Sequence, residues 1–159
     1  MIAVGDTIPD VALKAVTSEG VEDVRTGELL GSGKAVLFGV PGAFTPVCSD
    51  FHLPGFVLKT DDILAKGVDK IFCVSVNDAF VMGAWARSED AEGITMLADD
   101  AAAFASAMGL TTDASSFGLG IRSERYAAVI ENGVVTSLGV EKEFVDHEVS
   151  TAEHVLTTL

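Results

Sequence analysis

The side chains able to do chemistry gather around Cys48. Thr45 stands three residues before it and His52 four after, in the run Pro41-Gly42-Ala43-Phe44-Thr45-Pro46-Val47-Cys48-Ser49 and its continuation. Lys34 to Val40 (KAVLFGV), just upstream, is almost continuously apolar, the pattern of a strand buried on both faces. Pro41-Gly42 ends that strand, and a helix opens near Thr45, Pro46 or Val47. Pro46 suits a first helical turn, where its missing N–H costs nothing. Cys48 therefore falls among free backbone N–H groups at the positive end of a helix dipole, and both favour thiolate over thiol. Such sites lower a cysteine pKa from ~8.5 to ~3.5–7.5. For any cysteine, a drop of about 2.5 units raises the thiolate fraction at neutral pH only about 30-fold, and lower basicity costs nucleophilicity. Fast chemistry then needs donors that orient the electrophile and take up charge on its leaving group. Thr45 is placed to put a hydroxyl beside the sulfur. Arg122 and Arg125, in RSERY (Arg122 to Tyr126), offer permanent charge and several donors. One of them reaches Cys48 if the hairpin that follows lies next to the Lys34–Val40 strand.

His52 shares the Cys48 face of a regular helix. A proton-handling neighbour, a Cys-His metal pair and a satisfied structural histidine all fit that spacing, and the last is the commonest. A metal site would need further ligands from His147, His154 or Cys73, which have no recognisable spacing. Cys73, the only other cysteine, lies inside KIFCVSV, where a buried-strand cysteine is usually inert packing. Trp85, Phe44, Phe51 and Phe56 read as core or dimer contacts, with Phe44 at the entrance to the site. Asp61-Asp62 and Asp99-Asp100 read as solvated faces and caps.

The elements that must position these groups alternate. Val11 to Val16 and Val21 to Val24 form a hairpin about Ser18-Glu19-Gly20, and Thr26 caps a short turn ending near Gly31. After the Lys34–Val40 strand, Pro54-Gly55 interrupts or kinks the helix carrying Cys48. Phe56 to Lys66 is amphipathic, with Phe56/Ile63 and Val57/Leu64 at i, i+7, and Gly67 caps it. Lys70 to Val76 is a second buried strand, and Asn77 caps a helix over Asp78 to Arg87. Ile94 to Leu97 is a third strand. Asp99 or Asp100 caps an Ala-rich helix up to Met108, stopped by Gly109. Arg125 to Glu131 and Val134 to Leu138 flank Asn132-Gly133, a type I′ hairpin signal. Ser150-Thr151-Ala152-Glu153 is a capping box for a last helix. This order predicts an α/β, thioredoxin-like fold: a central mixed β-sheet flanked by helices, with an N-terminal β-hairpin extension.

With 159 residues the chain has the length of one domain, expected to span 1–159. Its 48% hydrophobic and 21% charged composition is that of a globular protein. A net charge of −14 argues against nucleic acid and anionic membranes as partners. No apolar run approaches the ~20 residues of a membrane span. MIAVGDTIPD lacks a basic region and a long apolar segment, so a cytoplasmic protein is expected.

PGAFTPVCS resembles the peroxiredoxin active-site motif P-x-x-x-T-x-x-C, with Pro41, Thr45 and Cys48 matching it. CVSVNDAFVMGAW (Cys73 to Trp85) and RSERY resemble the type II, or peroxiredoxin 5-like, subfamily, and the similarity covers nearly the whole chain. The resemblance implies a thiol peroxidase acting on hydrogen peroxide and alkyl hydroperoxides through a Cys48 sulfenic acid. It makes Thr45 the hydroxyl that bonds thiolate and peroxide, Pro41 the shield of the sulfur and Arg125 the catalytic arginine. Arg122 supports, and Gly42 and Phe44 belong to the substrate loop. It implies a homodimer paired through the active-site side, and no metal or organic cofactor. Some relatives carry a resolving cysteine in the C-terminal region, where this chain has Val149 and no cysteine. Others have one spaced like Cys73, but a disulfide needs Cα atoms within ~7 Å. Glutathione with glutaredoxin, or thioredoxin, is the expected reductant. A disulfide reductase would need a second thiol where Thr45 stands, and a redox sensor would share Cys48 without sustained turnover.

Overall fold

The computed structural model describes residues 1–159. Three apolar runs form the parallel centre of a seven-stranded mixed sheet: β3 (Lys34–Val40), β4 (Lys70–Ser75) and β5 (Thr95–Ala98). β1 (Ala12–Thr17) and β2 (Gly20–Arg25) form a hairpin whose first strand pairs antiparallel with β5. At the other edge β8 (Tyr126–Glu131) pairs antiparallel with β3 and β9 (Val134–Val140) with β8. The order is β2-β1-β5-β4-β3-β8-β9, so the N-terminal hairpin extends the central sheet itself. Asn132 and Gly133 take φ of 51° and 81°, the left-handed pair that a type I′ turn demands.

Side-chain alternation along β3 divides the core. Val36, Phe38 and Val40 face a layer with Phe56 and Ile63 of α2 (Leu53–Leu64), Trp85 of α3 (Ala79–Ser88) and Val155 of α5 (Ala152–Thr158). Ala35 and Leu37 face Phe104 and Met108 of α4 (Ala103–Met108), with Ile2 and Ile8. Cys48 and Cys73 both lie in the first layer. A short α1 (Thr26–Leu29) links β2 to β3. No helix is long and apolar enough to cross a membrane.

Several caps differ from the sequence reading, because a polar side chain beside a helix start can be claimed by another element. Asp78, not Asn77, caps α3 and accepts from Val81 N at 2.8 Å. Asn77 Oδ1 instead accepts from Ala43 N at 3.0 Å and Ser75 Oγ at 2.7 Å, tying the turn after β4 to the turn after β3. Thr151, not Ser150, caps α5, and Ser150 is turned inward. The Thr26 hydroxyl is buried between Val11 N and Pro9 O and caps nothing. Asp99 does hold the start of α4, accepting from Phe104 N and Ala105 N. The two-stranded ribbon β6 (Thr111–Asp113) and β7 (Ile121–Ser123), too short to show periodicity, was not anticipated; β7 carries Arg122.

Candidate active site

β3 delivers the chain to a buried Pro41-Gly42 turn, and helix begins at Pro46. From Cys48 to His52 the helix widens to a π turn, and Leu53 N donates to Cys48 O. Pro54 has no N–H to continue an ordinary α ladder, so the interruption expected at Pro54-Gly55 takes the form of this wider turn just ahead of it. α2 then runs on from Leu53. Trp85 Nε1, on the neighbouring helix, donates to Ser49 Oγ at 3.0 Å and ties the turn to α3.

Gly39 pairs with Tyr126 in the β3–β8 ladder. Arg125 therefore sits just before β8, level with the end of β3 where the chain leaves for Cys48. Its Nη2 donates to Cys48 Sγ at 3.2 Å. Both residues are buried, Arg125 with 2% of its surface exposed and Cys48 with none. An unpaired guanidinium is costly to bury, whereas a guanidinium facing a thiolate forms a compensated pair. The second limb, Nη1, lies 3.1 Å from His52 Nδ1, and Arg125 Nε has no protein partner.

His52 packs tilted against the stacked rings of Phe38 and Phe56, and its Nε2 is 2.8 Å from Ser150 O. A carbonyl only accepts, so Nε2 carries the hydrogen and Nδ1 accepts from Arg125. Both ring nitrogens are thus committed, and neither is free for a metal. Burial first, and the Arg125 charge second, lower the His52 pKa from 6.5 to about 3. An unfolded histidine takes up its proton near pH ~6.5, which the native one refuses until about pH 3. Stability is therefore lost as pH falls through that window, by at most ~1.4 kcal/mol per pH unit from this group. Urea midpoints at pH 7 and 4.5 test it. The wild type should lose about 2 kcal/mol more between them than His52→Asn. Equal losses would show that His52 is not held neutral.

The Thr45 hydroxyl donates to Gly42 O at 2.7 Å and closes the turn. Arg122 braces the same turn: Nε donates to Leu119 O at 2.9 Å and Nη1 to Pro41 O at 3.4 Å. A Cβ at Gly42 would meet Arg122 Nη1 at 3.0 Å and Thr45 Cγ2 at 3.1 Å, so a larger residue would have to displace these side chains by a few tenths of an ångström. Phe44, in the same turn, takes φ 64° and is 54% exposed. Cys73 pairs across from Phe38 and is fully buried. Burial, and then the nearby Cys48, push its thiol well above the usual range, which makes it a poor nucleophile. Asn77, Ser49, Ser150 and Glu141 complete the surroundings. The sequence marks none of them as site residues, since each is a common polar residue and only the fold brings it to the site.

A model of the redoxin family (described as "Redoxin") matches residues 3–156. The chain is 46% identical over 160 residues to peroxiredoxin-2C of Oryza sativa subsp. japonica, covering 99% of this chain and 98% of that protein. Reduced Prx3 of Vibrio vulnificus in complex with hydrogen peroxide superposes with a TM-score of 0.94 at 51% identity, covering 99% of each chain. Oxidized Prx3 of the same organism gives 0.89 at 53% identity, covering all of both chains. The fold is thus the thioredoxin-like one expected from the order of elements.

Proposed function

The chain belongs to the redoxin family and within it to the peroxiredoxins, thiol-dependent enzymes that reduce peroxides; from that premise we propose that Cys48 is the peroxidatic thiolate and Arg125 its catalytic partner. The 3.2 Å contact between Arg125 Nη2 and a buried Cys48 Sγ carries this reading. The sulfur lone pair attacks the terminal peroxide oxygen as the O–O bond breaks. Sulfur is oxidised to Cys48–SOH, the distal oxygen leaves as hydroxide or alkoxide, and a solvent proton makes it water or alcohol. Arg125 faces both the attacking sulfur and the charge developing on the leaving oxygen, with Nε still free to donate. Thr45 reaches the peroxide once its hydroxyl turns from Gly42 O. Pro41, Gly42 and Arg122 hold the turn rigid, and Phe44 rims the entrance.

External thiols then supply the two electrons. The first condenses with Cys48–SOH, releasing water, and the second reduces the mixed disulfide. Glutathione with glutaredoxin, or thioredoxin, suits this role in a reducing compartment such as the cytosol, because the buried Cys73 thiol is poorly placed to compete. A homodimer through the active-site side is supported by Phe44, Phe80, Phe117 and Ile121, all exposed by more than half their surface. Phe44, Phe80 and Ile121 sit on or next to segments bonded to the Pro41–Thr45 turn.

Mixing the reduced protein with one equivalent of hydrogen peroxide and a sulfenic-acid trap, with mass spectra over the first second, tests this assignment. The expected product is a trapped adduct at Cys48 alone. Rapid loss of two hydrogens to a Cys48–Cys73 disulfide would overturn the external-thiol reading. An unmodified Cys48 would overturn the assignment of the nucleophile.

A further inference from the structure

Glu141 follows directly on β9, and its backbone N–H donates to Arg125 O at 2.9 Å, placing it beside the catalytic arginine in the sheet. Its carboxylate is turned inward, with 7% of the residue exposed. Oε2 accepts from Glu148 N at 2.8 Å, Val149 N at 3.0 Å, Ser150 N at 2.9 Å and Ser150 Oγ at 2.5 Å. Oε1 receives only the longer limb of the bond from Val149 N, at 3.3 Å. Burial alone would raise this carboxyl's pKa, but the Ser150 hydroxyl and the amides of Glu148, Val149 and Ser150 hold it below the usual range. The loop is also seated on β9, since a Cβ at Gly139 would collide with the Val149 carbonyl.

A sequestered carboxylate that gathers a loop around itself is an expensive way to close a surface turn. Its consequence lies at the other end of Ser150. The residue whose N–H and hydroxyl are fixed by Glu141 presents its carbonyl to His52 Nε2 at 2.8 Å. His52 Nδ1 faces Arg125 Nη1 at 3.1 Å, and Arg125 Nη2 faces Cys48 Sγ at 3.2 Å. We propose that Glu141 is a positioning residue for the reacting pair: by fixing the Ser150 carbonyl it sets the His52 tautomer and orientation, and His52 then holds the planar guanidinium of Arg125 with one limb on the sulfur. This rests on the reading of Cys48 and Arg125 as the reacting pair. A guanidinium anchored at one limb can swing about its Cδ–Nε bond. One anchored at both cannot, and misplacement by about 1 Å can cost a reaction ~100-fold.

The test uses the whole chain as wild type, Glu141→Ala, Glu141→Gln, His52→Leu and the Glu141→Ala/His52→Leu double variant. One readout is the second-order rate with hydrogen peroxide by stopped flow. The other is the pH profile of iodoacetamide alkylation at Cys48, located by peptide mass spectrometry, which needs no peroxidase activity. Glu141→Ala should slow the peroxide step about 10–100-fold and move the alkylation profile to higher pH. Glu141→Gln can set its carbonyl oxygen where Oε2 accepts, so it should keep most of both. The double variant should be no slower than the slower single, as expected for residues acting through one path. Wild-type values for a folded Glu141→Ala, or effects that multiply in the double variant, would overturn the proposal. If Glu141→Ala does not fold, Glu141→Asp, which withdraws the acceptor by one methylene, is read against the same expectations. A shifted alkylation profile in a protein inert to peroxide would sink the peroxidase assignment of Cys48 and leave the positioning relay standing.

Discussion

Cys48→Ser abolishes peroxide turnover, with a loss on the order of 10⁴-fold or more, the scale seen when an enzyme's nucleophile is removed. A serine hydroxyl at this position stays protonated at neutral pH, and no other group beside Arg125 can accept an oxygen atom. Cys73 does not substitute, since it is fully buried and its thiol is held protonated. The fold survives the change. Serine is close to cysteine in shape, and its buried oxygen has a donor in Arg125 Nη2, which already points at the sulfur. An unpaired hydroxyl would cost about 1–3 kcal/mol, so a paired one should shift the melting temperature by only a few degrees. Peroxide consumption with a thiol reductant in excess, read beside the melting curve, separates loss of chemistry from loss of structure. A folded serine variant with substantial activity would end the assignment of Cys48 as nucleophile.

What the sequence made legible follows from the range over which its signals act. The strands over Lys34–Val40 and Lys70–Ser75 were readable because burial on both faces writes an unbroken apolar run. The Asn132-Gly133 turn was readable because few residue pairs tolerate positive φ twice in succession. That Arg122 or Arg125 reaches Cys48 followed conditionally, from a hairpin expected to lie beside the first central strand, and β8 does lie there with Arg125 on the sulfur. The polar network behind that contact was not readable. Ser150 and Thr151 are equally good caps by type, as are Asn77 and Asp78, and tertiary partners decide between them. Glu141 is one of 24 acidic residues, and nothing local separates it from those on the surface. His52 was ambiguous at i+4 from Cys48, and its role comes from Ser150, 98 residues away in the chain.

The second large effect is expected at Arg125 and turns on a comparison of two reactions of the same sulfur. Alkylation by iodoacetamide requires a thiolate and little else. Peroxide reduction requires the thiolate together with stabilisation of charge on the departing oxygen, and removing one positioned donor of that kind costs about 10²–10³-fold. Arg125→Ala should therefore slow the peroxide step by about that factor beyond whatever it does to alkylation. Arg125→Lys divides the contribution further. A lysine restores positive charge near Cys48 but cannot span His52 Nδ1 and Cys48 Sγ with a planar fork. It should recover alkylation more fully than peroxide reduction. Stopped-flow rates for both reagents on both variants, with near-ultraviolet circular dichroism to verify packing, give the ratio directly. If the two reactions fall by equal factors, Arg125 stabilises only the resting thiolate. Its geometry against the sulfur would then account for ionisation and not for the transition state, and charge on the leaving oxygen would have to be met by the amides and hydroxyl of the Pro41–Thr45 turn.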